Sequence, residues 1–453
     1  MIPILIALCC VAKIHAQATP QQMVQRMGRG INLGNVLSAP IEGNWADPVE
    51  ESYFINISQV GFESVRIPIR FDMHTTPLSE VSYTDVNGNY VGSMLDYQVS
   101  TAYLDRIEEV TDWALSRGLV AIIDVHGDKW FWESYDVNSP EYKIGNDRLA
   151  AEDRFRAIWR DISIRFQNKP EDLIFEIMNE AYFSMSASEV DIVNTDILSI
   201  IRQTNPTRNV IINGGGLNSW EAPLQISTSL LNSDNYLIAT FHYYKPFNFT
   251  SSSNQQYTNF EWGSPSQKAL VDSHFNSVMA WSQTHNIPIL LGEFGADNEG
   301  GYDYYNQTYG AYGGPTNASR VEYHHYLAEA AINRGFAFTA WDAGEKANKT
   351  IYIASSQSWV MDVRDALLGN ALDIDEVETI NFSVYPNPSN RSITIDTKEN
   401  IQRKELFTIQ GQLLKSENTS DKNFDLTSIN PGPYVLVTTM DDGTKENRTI
   451  IRD

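Results

Sequence analysis

Cysteine is nearly absent from this 453-residue chain: Cys9 and Cys10 are its two, and both lie in the N-terminal run Met1 to Ala16. Everything after that run holds no disulfide and no thiolate chemistry, so its stability must come from packing. Basic charge is scarce too, with 33 Lys and Arg against 57 Asp and Glu, a net −24. Such a surface repels nucleic acid and anionic lipid, and a neutral partner fits it best. Long apolar runs are missing as well. Met1 to Ala12 is apolar but too short to span a bilayer, and Ile14-His15-Ala16 then offers a small residue for cleavage before Gln17. Residues 1–16 therefore read as a signal peptide, and no integral membrane segment is expected. The chain has no His-Glu-x-x-His and no Gly-x-Ser-x-Gly, so neither a zinc protease nor an α/β-hydrolase triad is signalled. The acidic residues Asp297, Glu299 and Asp303 lack EF-hand spacing and read as a solvated loop. No metal and no cofactor is expected.

What is present is ample apolar material, 42% hydrophobic and 11% aromatic, enough to bury a large core. Eight short runs rich in Val, Ile and Phe occur between Gly28 and Asp342: Gly30 to Asn35, Ser64 to Phe71, Leu119 to His126, Leu173 to Glu180, Asn209 to Gly214, Leu237 to Tyr244, Pro288 to Gly295 and Gly335 to Asp342. Continuous apolar runs suit strands buried on both faces, and helix-like stretches separate them. Between Arg148 and Asn168, Phe155, Ile158, Trp159, Ile162 and Phe166 fall at helical spacing, and Lys169-Pro170 ends the helix before the fourth run. The fold class is α/β, a closed parallel (β/α)8 TIM barrel over residues 17–370. Trp113, Trp159 and Phe336 are assigned to its core.

Composition changes after Leu368, a point that all ten tryptophans precede. Residues 371–380 read as an acidic, polar linker. From Asn381 to Asp453 the spacing is that of short strands and turns: Ser392 to Thr397, a hairpin about Gln410-Gly411, and turns at Asn430-Pro431-Gly432 and Asp442-Gly443. A small all-β sandwich is expected there.

Polar residues fall at or near the C-terminal ends of the barrel runs, where barrel active sites are built: His126, Asn179, Glu180, His242, Tyr244, Glu293 and Trp341. Hydrolysis of a glycosidic bond needs one protonated and one ionised carboxyl facing each other across the anomeric carbon. Glu180 closes Ile174 to Glu180, and Glu293 sits in Leu290 to Gly295. A single glutamate ending a strand is more often a loop-facing charge; two, on runs four and seven, point to a site.

These residues, with Arg66 in Val65-Arg66-Ile67-Pro68, Asp124-Val125-His126, Phe241-His242-Tyr243-Tyr244 and Ala340-Trp341-Asp342, resemble glycoside hydrolase family five. Arg29 to Asn35 and the Glu42-Gly43-Asn44-Trp45 loop are similar to its endoglucanase branch, and the likeness covers roughly residues 25 to 370. The resemblance implies a retaining endo-β-1,4-glycan hydrolase, with Glu180 as general acid/base, Glu293 as nucleophile, and Asn35, Arg66, His126, Asn179, His242, Tyr244 and Trp341 binding substrate. In that reading Arg66 and the Tyr244 hydroxyl hold Glu293 ionised, while the Glu293 charge and partial burial keep Glu180 protonated. Glucan, as cellulose or mixed-linkage β-glucan, is the expected polymer. Mannan, xyloglucan or mere non-catalytic capture of glycan are the alternatives. Relatives often carry histidine where Gly127 stands, glutamate where Ser38 stands and sometimes glutamate at Asp342, positions expected to border substrate. Trp45, Trp130, Trp132, Trp220 and Trp262 are candidate sugar-stacking surfaces, with packing the competing role for each.

Residues 381–453 resemble the C-terminal sorting domain of the bacterial type IX secretion system. The likeness rests on Tyr385-Pro386-Asn387-Pro388, the Gly411 hairpin, Pro431-Gly432-Pro433-Tyr434-Val435 and a terminal strand Arg448 to Arg452. It implies the type IX machinery as partner and a secreted or outer-surface location. A carbohydrate-binding module would need exposed aromatics, and this segment has no tryptophan.

Overall fold

The computed structural model describes residues 17–127, 129–181, 185–254, 257–370, 383–397, 399–408, 412–441, 443 and 445–453. The expected signal peptide, the linker and the tip of the Gln410-Gly411 hairpin lie outside the described residues. The chain divides into two compact units at Asn370/Ala371.

The first unit is a closed barrel of eight parallel strands in sequential order. They are β1 (Arg29–Asn32), β2 (Ser64–Ile69), β3 (Val120–Val125), β4 (Leu173–Glu176), β5 (Val210–Ile212), β6 (Leu237–Tyr243), β7 (Ile289–Phe294) and β8 (Ala337–Ala340). Seven fall inside the apolar runs, and β1 starts one residue before its run, at Arg29. Every residue of β2, β3, β6 and β7 is buried, as continuous apolar patterning requires of a strand covered on both faces. Most runs extend past the hydrogen-bonded strand. Asn35, for example, lies three residues beyond β1 in a turn, at φ 63°.

Helix α1 (Pro20–Met27) precedes the barrel; its cap is a reciprocal pair between Thr19 and Gln22, with Pro20 in the first turn. Met23, Val24 and Met27 pack on Val120, Ile122, Ile174, Ile211, Ile238, Leu290 and Ala337, closing the bottom of the barrel with apolar side chains. The outer helices are α2 (Glu51–Val60), α3 (Thr101–Ser116), α4 (Gly145–Arg165), α5 (Ala187–Thr204), the single turn α6 (Thr228–Leu231), α7 (Pro265–His285), α8 (Asn317–Ile332) and α9 (Met361–Leu368). Among the described residues no helix is long and apolar enough to cross a membrane.

Trp159 and Phe336 are core residues as expected, whereas Trp113 is only half-buried. Trp159, on α4, is fully buried and its Nε1 donates to the Ile177 carbonyl at 3.0 Å. That bond ties the helix to the segment between β4 and Glu180, so core packing here also positions the site.

The second unit has a three-stranded and a four-stranded antiparallel sheet. In chain order the strands are β9 (Ser383–Tyr385), β10 (Ser392–Asp396), β11 (Ile401–Thr408), β12 (Leu413–Glu417), β13 (Asn423–Asp425), β14 (Gly432–Met440) and β15 (Lys445–Arg452). Alternating residues of β10, β11 and β14 supply Ile393, Ile395, Leu406, Leu436 and Met440 to a core completed by Phe424 and Ile450.

Trp159→Ala should lower the barrel's unfolding free energy by about 3–5 kcal/mol, and Trp159→Phe by less. Urea unfolding of the two variants beside the parent measures this; equal stability would mean the site is not packed as described.

Candidate active site

Strand register explains why the polar residues meet. Asn32 pairs with Arg66 across β1 and β2, Asp124 with Glu176 across β3 and β4, and His242 with Glu293 across β6 and β7. The last pairing follows an irregularity between Phe241 and His242, which shifts the later residues of β6 relative to β7.

Arg66 sits at the centre and is wholly inaccessible to solvent. Its Nε and Nη2 donate to the two Glu176 oxygens at 2.7 and 2.9 Å. Nη1 donates to Asn32 Oδ1 at 3.0 Å and Glu293 Oε1 at 2.8 Å; Nη2 also donates to Asp124 Oδ2 and Asn179 Oδ1, both at 2.8 Å. Asp124, Glu176 and Asn32 were not singled out from sequence, yet the signal was there. Each is a polar residue inside an apolar strand run, and such a residue survives burial only with a partner.

Glu293 also accepts from the Tyr244 hydroxyl at 3.0 Å. Each of its carboxylate oxygens thus has a donor, Arg66 on Oε1 and Tyr244 on Oε2. Glu180 is different: its Oε1 lies 2.8 Å from His242 Nδ1, and its pKa is raised, chiefly by desolvation at the barrel mouth. Of the two expected causes, partial burial and the Glu293 charge, burial is the leading one. His242 and His126 are each pushed down to about 4, chiefly by burial, so both imidazoles are neutral near pH 7. His126 Nδ1 lies 2.9 Å from Asp124 Oδ2, and its ring stacks on Trp341 at 5.8 Å between centroids.

One carboxylate oxygen from each of Glu180 and Glu293 and one His242 nitrogen lie within 4.8 Å of one another. A cation could bridge such a trio, but it would hold Glu180 ionised against the desolvation that raises its pKa.

Two glycines make the arrangement possible. A Cβ at Gly34 would sit 2.4 Å from the Asp342 carbonyl, so only glycine lets the β1 loop close on the end of β8. At Gly292 a Cβ would meet Thr240 Oγ1 at 2.8 Å and His242 Nε2 at 2.9 Å.

Arg66, His126, Asn179, Glu180, His242, Tyr244, Glu293 and Trp341 are therefore brought together. Asn35 is placed differently, its amide donating to the Ala343 carbonyl at 2.9 Å, so it ties the β1 and β8 loops. Ser38 Oγ accepts from the Asn35 amide at 3.1 Å and is itself buried. Asp342, expected to border substrate, instead accepts backbone N–H groups from Gly344, Ile351 and Tyr352 at 2.8–3.2 Å and shapes the β8 loop. Asp297, expected in a solvated loop, is buried and paired with Lys349 at 2.5 Å. Of the loop tryptophans, Trp130, Trp132 and Trp262 are buried, and Trp220 stacks on His274 at 4.2 Å. Trp45, 46% exposed, keeps a face for solvent.

Compared with known proteins, residues 27–347 match the family described as Cellulase (glycosyl hydrolase family 5), and the chain belongs to that family. Residues 383–452 match the Secretion system C-terminal sorting domain, which marks the chain for secretion, into the medium or to the outer cell surface. Endoglucanase H of Acetivibrio thermocellus is 39% identical over 325 residues, covering 72% of this chain but 30% of that protein. The chain thus spans about a third of that relative's length. A solved hyperthermophilic endo-β-1,4-glucanase in complex with substrate superposes with TM-score 0.63 at 27% identity, covering 78% of this chain and all of that one. Cel5A of Thermotoga maritima, solved with mannotriose, gives TM-score 0.62 at 26% identity over 77% of this chain and 99% of that one.

Two outcomes are expected. Gly292→Ala should displace the His242 ring from Glu180 and reduce kcat by roughly 10-fold to 100-fold, read by steady-state kinetics beside circular dichroism. Asp124 is pushed up to about 7 from 3.8, mainly by burial. A raised folded-state pKa gives stability that is complete below 3.8 and is lost as pH rises through about 7. Asp124→Asn removes that loss, so its Tm relative to the parent should improve between about pH 4.5 and about pH 8. A Tm difference independent of pH would place the proton elsewhere.

Proposed function

We propose that residues 17–370 form the catalytic domain of a retaining endo-β-1,4-glycan hydrolase acting on glucan, with residues 381–453 serving export. The carrying observation is the pair of carboxyls with oxygens within 4.8 Å, one held by Arg66 and Tyr244 and the other partly exposed to solvent beside a neutral histidine. Oxygens no more than 4.8 Å apart suit double displacement, with its carboxyls about 5–5.5 Å apart, over the roughly 6.5–9.5 Å that an inverting enzyme needs to seat a water.

In this reading Glu293 Oε attacks the anomeric carbon while Glu180 gives its proton to the departing glycosidic oxygen. The C–O bond breaks and a glycosyl ester forms on Glu293. Glu180, now ionised, takes a proton from water as that water attacks the same carbon, and Glu293 leaves as carboxylate. Two inversions give net retention. Asn179 accepts from Arg66 through Oδ1, so its amide protons remain to donate to the sugar 2-hydroxyl. His126 offers a neutral ring to a further hydroxyl, His242 orients Glu180 through Nδ1, and Trp341 provides an apolar floor. Family likeness to endoglucanases supports glucan as the polymer. Mannan is the second reading, favoured by the mannotriose complex of the Thermotoga maritima relative. It is weakened here because Ser38 Oγ already caps Asn35, and Gly127, at φ 73°, carries no side chain. Capture of glycan without cleavage would not need both glutamates.

Glu293→Ala should abolish hydrolysis of polymer and aryl glycosides alike, whereas Glu180→Ala should slow polymer by roughly 10²-fold to 10⁴-fold and activated aryl glycosides less. Proton NMR of fresh hydrolysate should show the β-anomer first; an initial α-anomer would rule out double displacement. Barley-type β-glucan should be cleaved with kcat/KM about 10-fold to 100-fold above unbranched mannan. A chain ending at Asn370 should match the full chain on soluble polymer.

A further inference from the structure

The β7 loop contains a hairpin that the catalytic site does not use. Tyr302–Asp303 pairs antiparallel with Thr308–Tyr309, on the same end of the barrel as Glu293. Its tyrosines are not buried: Tyr305 is 56% exposed and Tyr309 68%. Open aromatic rings on a neutral-substrate enzyme call for a reason, because exposed apolar surface carries an association risk unless it binds something.

The hairpin is held firmly. Asn298 at its base is fully buried and donates to the carbonyls of Tyr302 and Ala347 and to Thr350 Oγ1 at 2.8–3.1 Å. Its Oδ1 accepts from the Thr350 amide at 2.8 Å and from Arg320 at 3.2 Å. The Tyr305 amide then donates to the Glu345 carbonyl at 3.1 Å, fixing the hairpin tip against the β8 loop. Lys346 of that loop stands 4.8 Å over the Tyr305 ring and pairs with Asp47 of the β1 loop at 2.8 Å. Asp47 is two residues from Trp45, the exposed loop tryptophan. Because β7, β8 and β1 are neighbours in the barrel, Tyr305, Lys346, Asp47 and Trp45 form one stretch of rim.

The β8 loop links the rim to the cleft. Trp341, at the end of β8, lies five residues before Lys346, a chain length that reaches at most ~17 Å. From these placements we propose that Tyr305 and Trp45 form a remote binding site for the extended β-linked glucan chain, several sugars from the bond cleaved. This rests on the glycanase reading above. Ring faces suit the apolar faces of β-linked glucose, and the paired Lys346 and Asp47 can donate to and accept from hydroxyls without presenting net charge. One face of Tyr305 lies under Lys346, leaving the other for sugar. A rigid anchor also lowers the ordering cost of capture, since the rings are placed before the chain arrives. An anionic occupant would face the chain's net charge of −24, so the neutral polymer is the better fit.

Two measurements test this on the full chain. In the Glu180→Ala background, affinity electrophoresis through gels containing soluble β-glucan should show Tyr305→Ala and Trp45→Ala each weakening retardation by about three- to tenfold. Val86→Ala, a fully exposed residue on the β2 loop, should not weaken it. In the active enzyme, the ratio of polymer KM to aryl-cellobioside KM should rise by a similar factor in both rim variants. Unchanged retardation and an unchanged ratio would overturn the rim site. A parent enzyme that cleaves neither substrate would instead overturn the glycanase reading, and the gel would still report on the rim.

Discussion

Everything at the barrel mouth depends on the buried guanidinium of Arg66. It is fully enclosed, with carboxylates from β3, β4 and the end of β7 around it and two amide oxygens completing its donors. Such a group costs several kcal/mol to desolvate, and only near-complete pairing offsets that cost. The pairing in turn ties β1, β3, β4 and β7 to β2, five strands in all. Glu293 and Asn179 are oriented through the same cation, so the attacking group and a sugar-binding amide share one reference point.

Different surroundings give the two glutamates different chemistry. Glu293 receives two hydrogen bonds, from the Arg66 guanidinium and the Tyr244 hydroxyl. Glu180 lies beside a neutral imidazole, and burial raises its pKa. Neither environment could arise without close packing around it. Gly292 leaves the space for the His242 ring, Gly34 lets the first and last strands' loops meet, and Asp342 and Asn298 satisfy the backbone groups that the long β7 and β8 loops would otherwise leave unpaired.

The barrel could be read from the chain because each strand is covered on both faces and is therefore written as a continuous apolar run. The residues of the site were legible for a related reason: charged or aromatic residues stand where apolar runs end. Asp124, Glu176 and Asn32 were harder, since they interrupt the runs instead of ending them, and their sense comes only from Arg66 arriving from another strand. The loop tryptophans show the other limit. Composition marks all of them as capable of stacking on sugar, and local spacing does not distinguish Trp45 from Trp132.

The sequence by itself determined the strand count, the boundary where tryptophan ceases, the carboxyl pair and the absence of cysteine chemistry after the N-terminal run, because each depends on residue type and on periodicity along the chain. The tertiary structure alone decided which groups surround Arg66, that Asn35 and Asp342 bind loops, that Asp297 is buried, and which aromatic rings stay open to solvent. These outcomes depend on burial and on contacts between residues tens to hundreds of positions apart, and such contacts exist only once the barrel has closed.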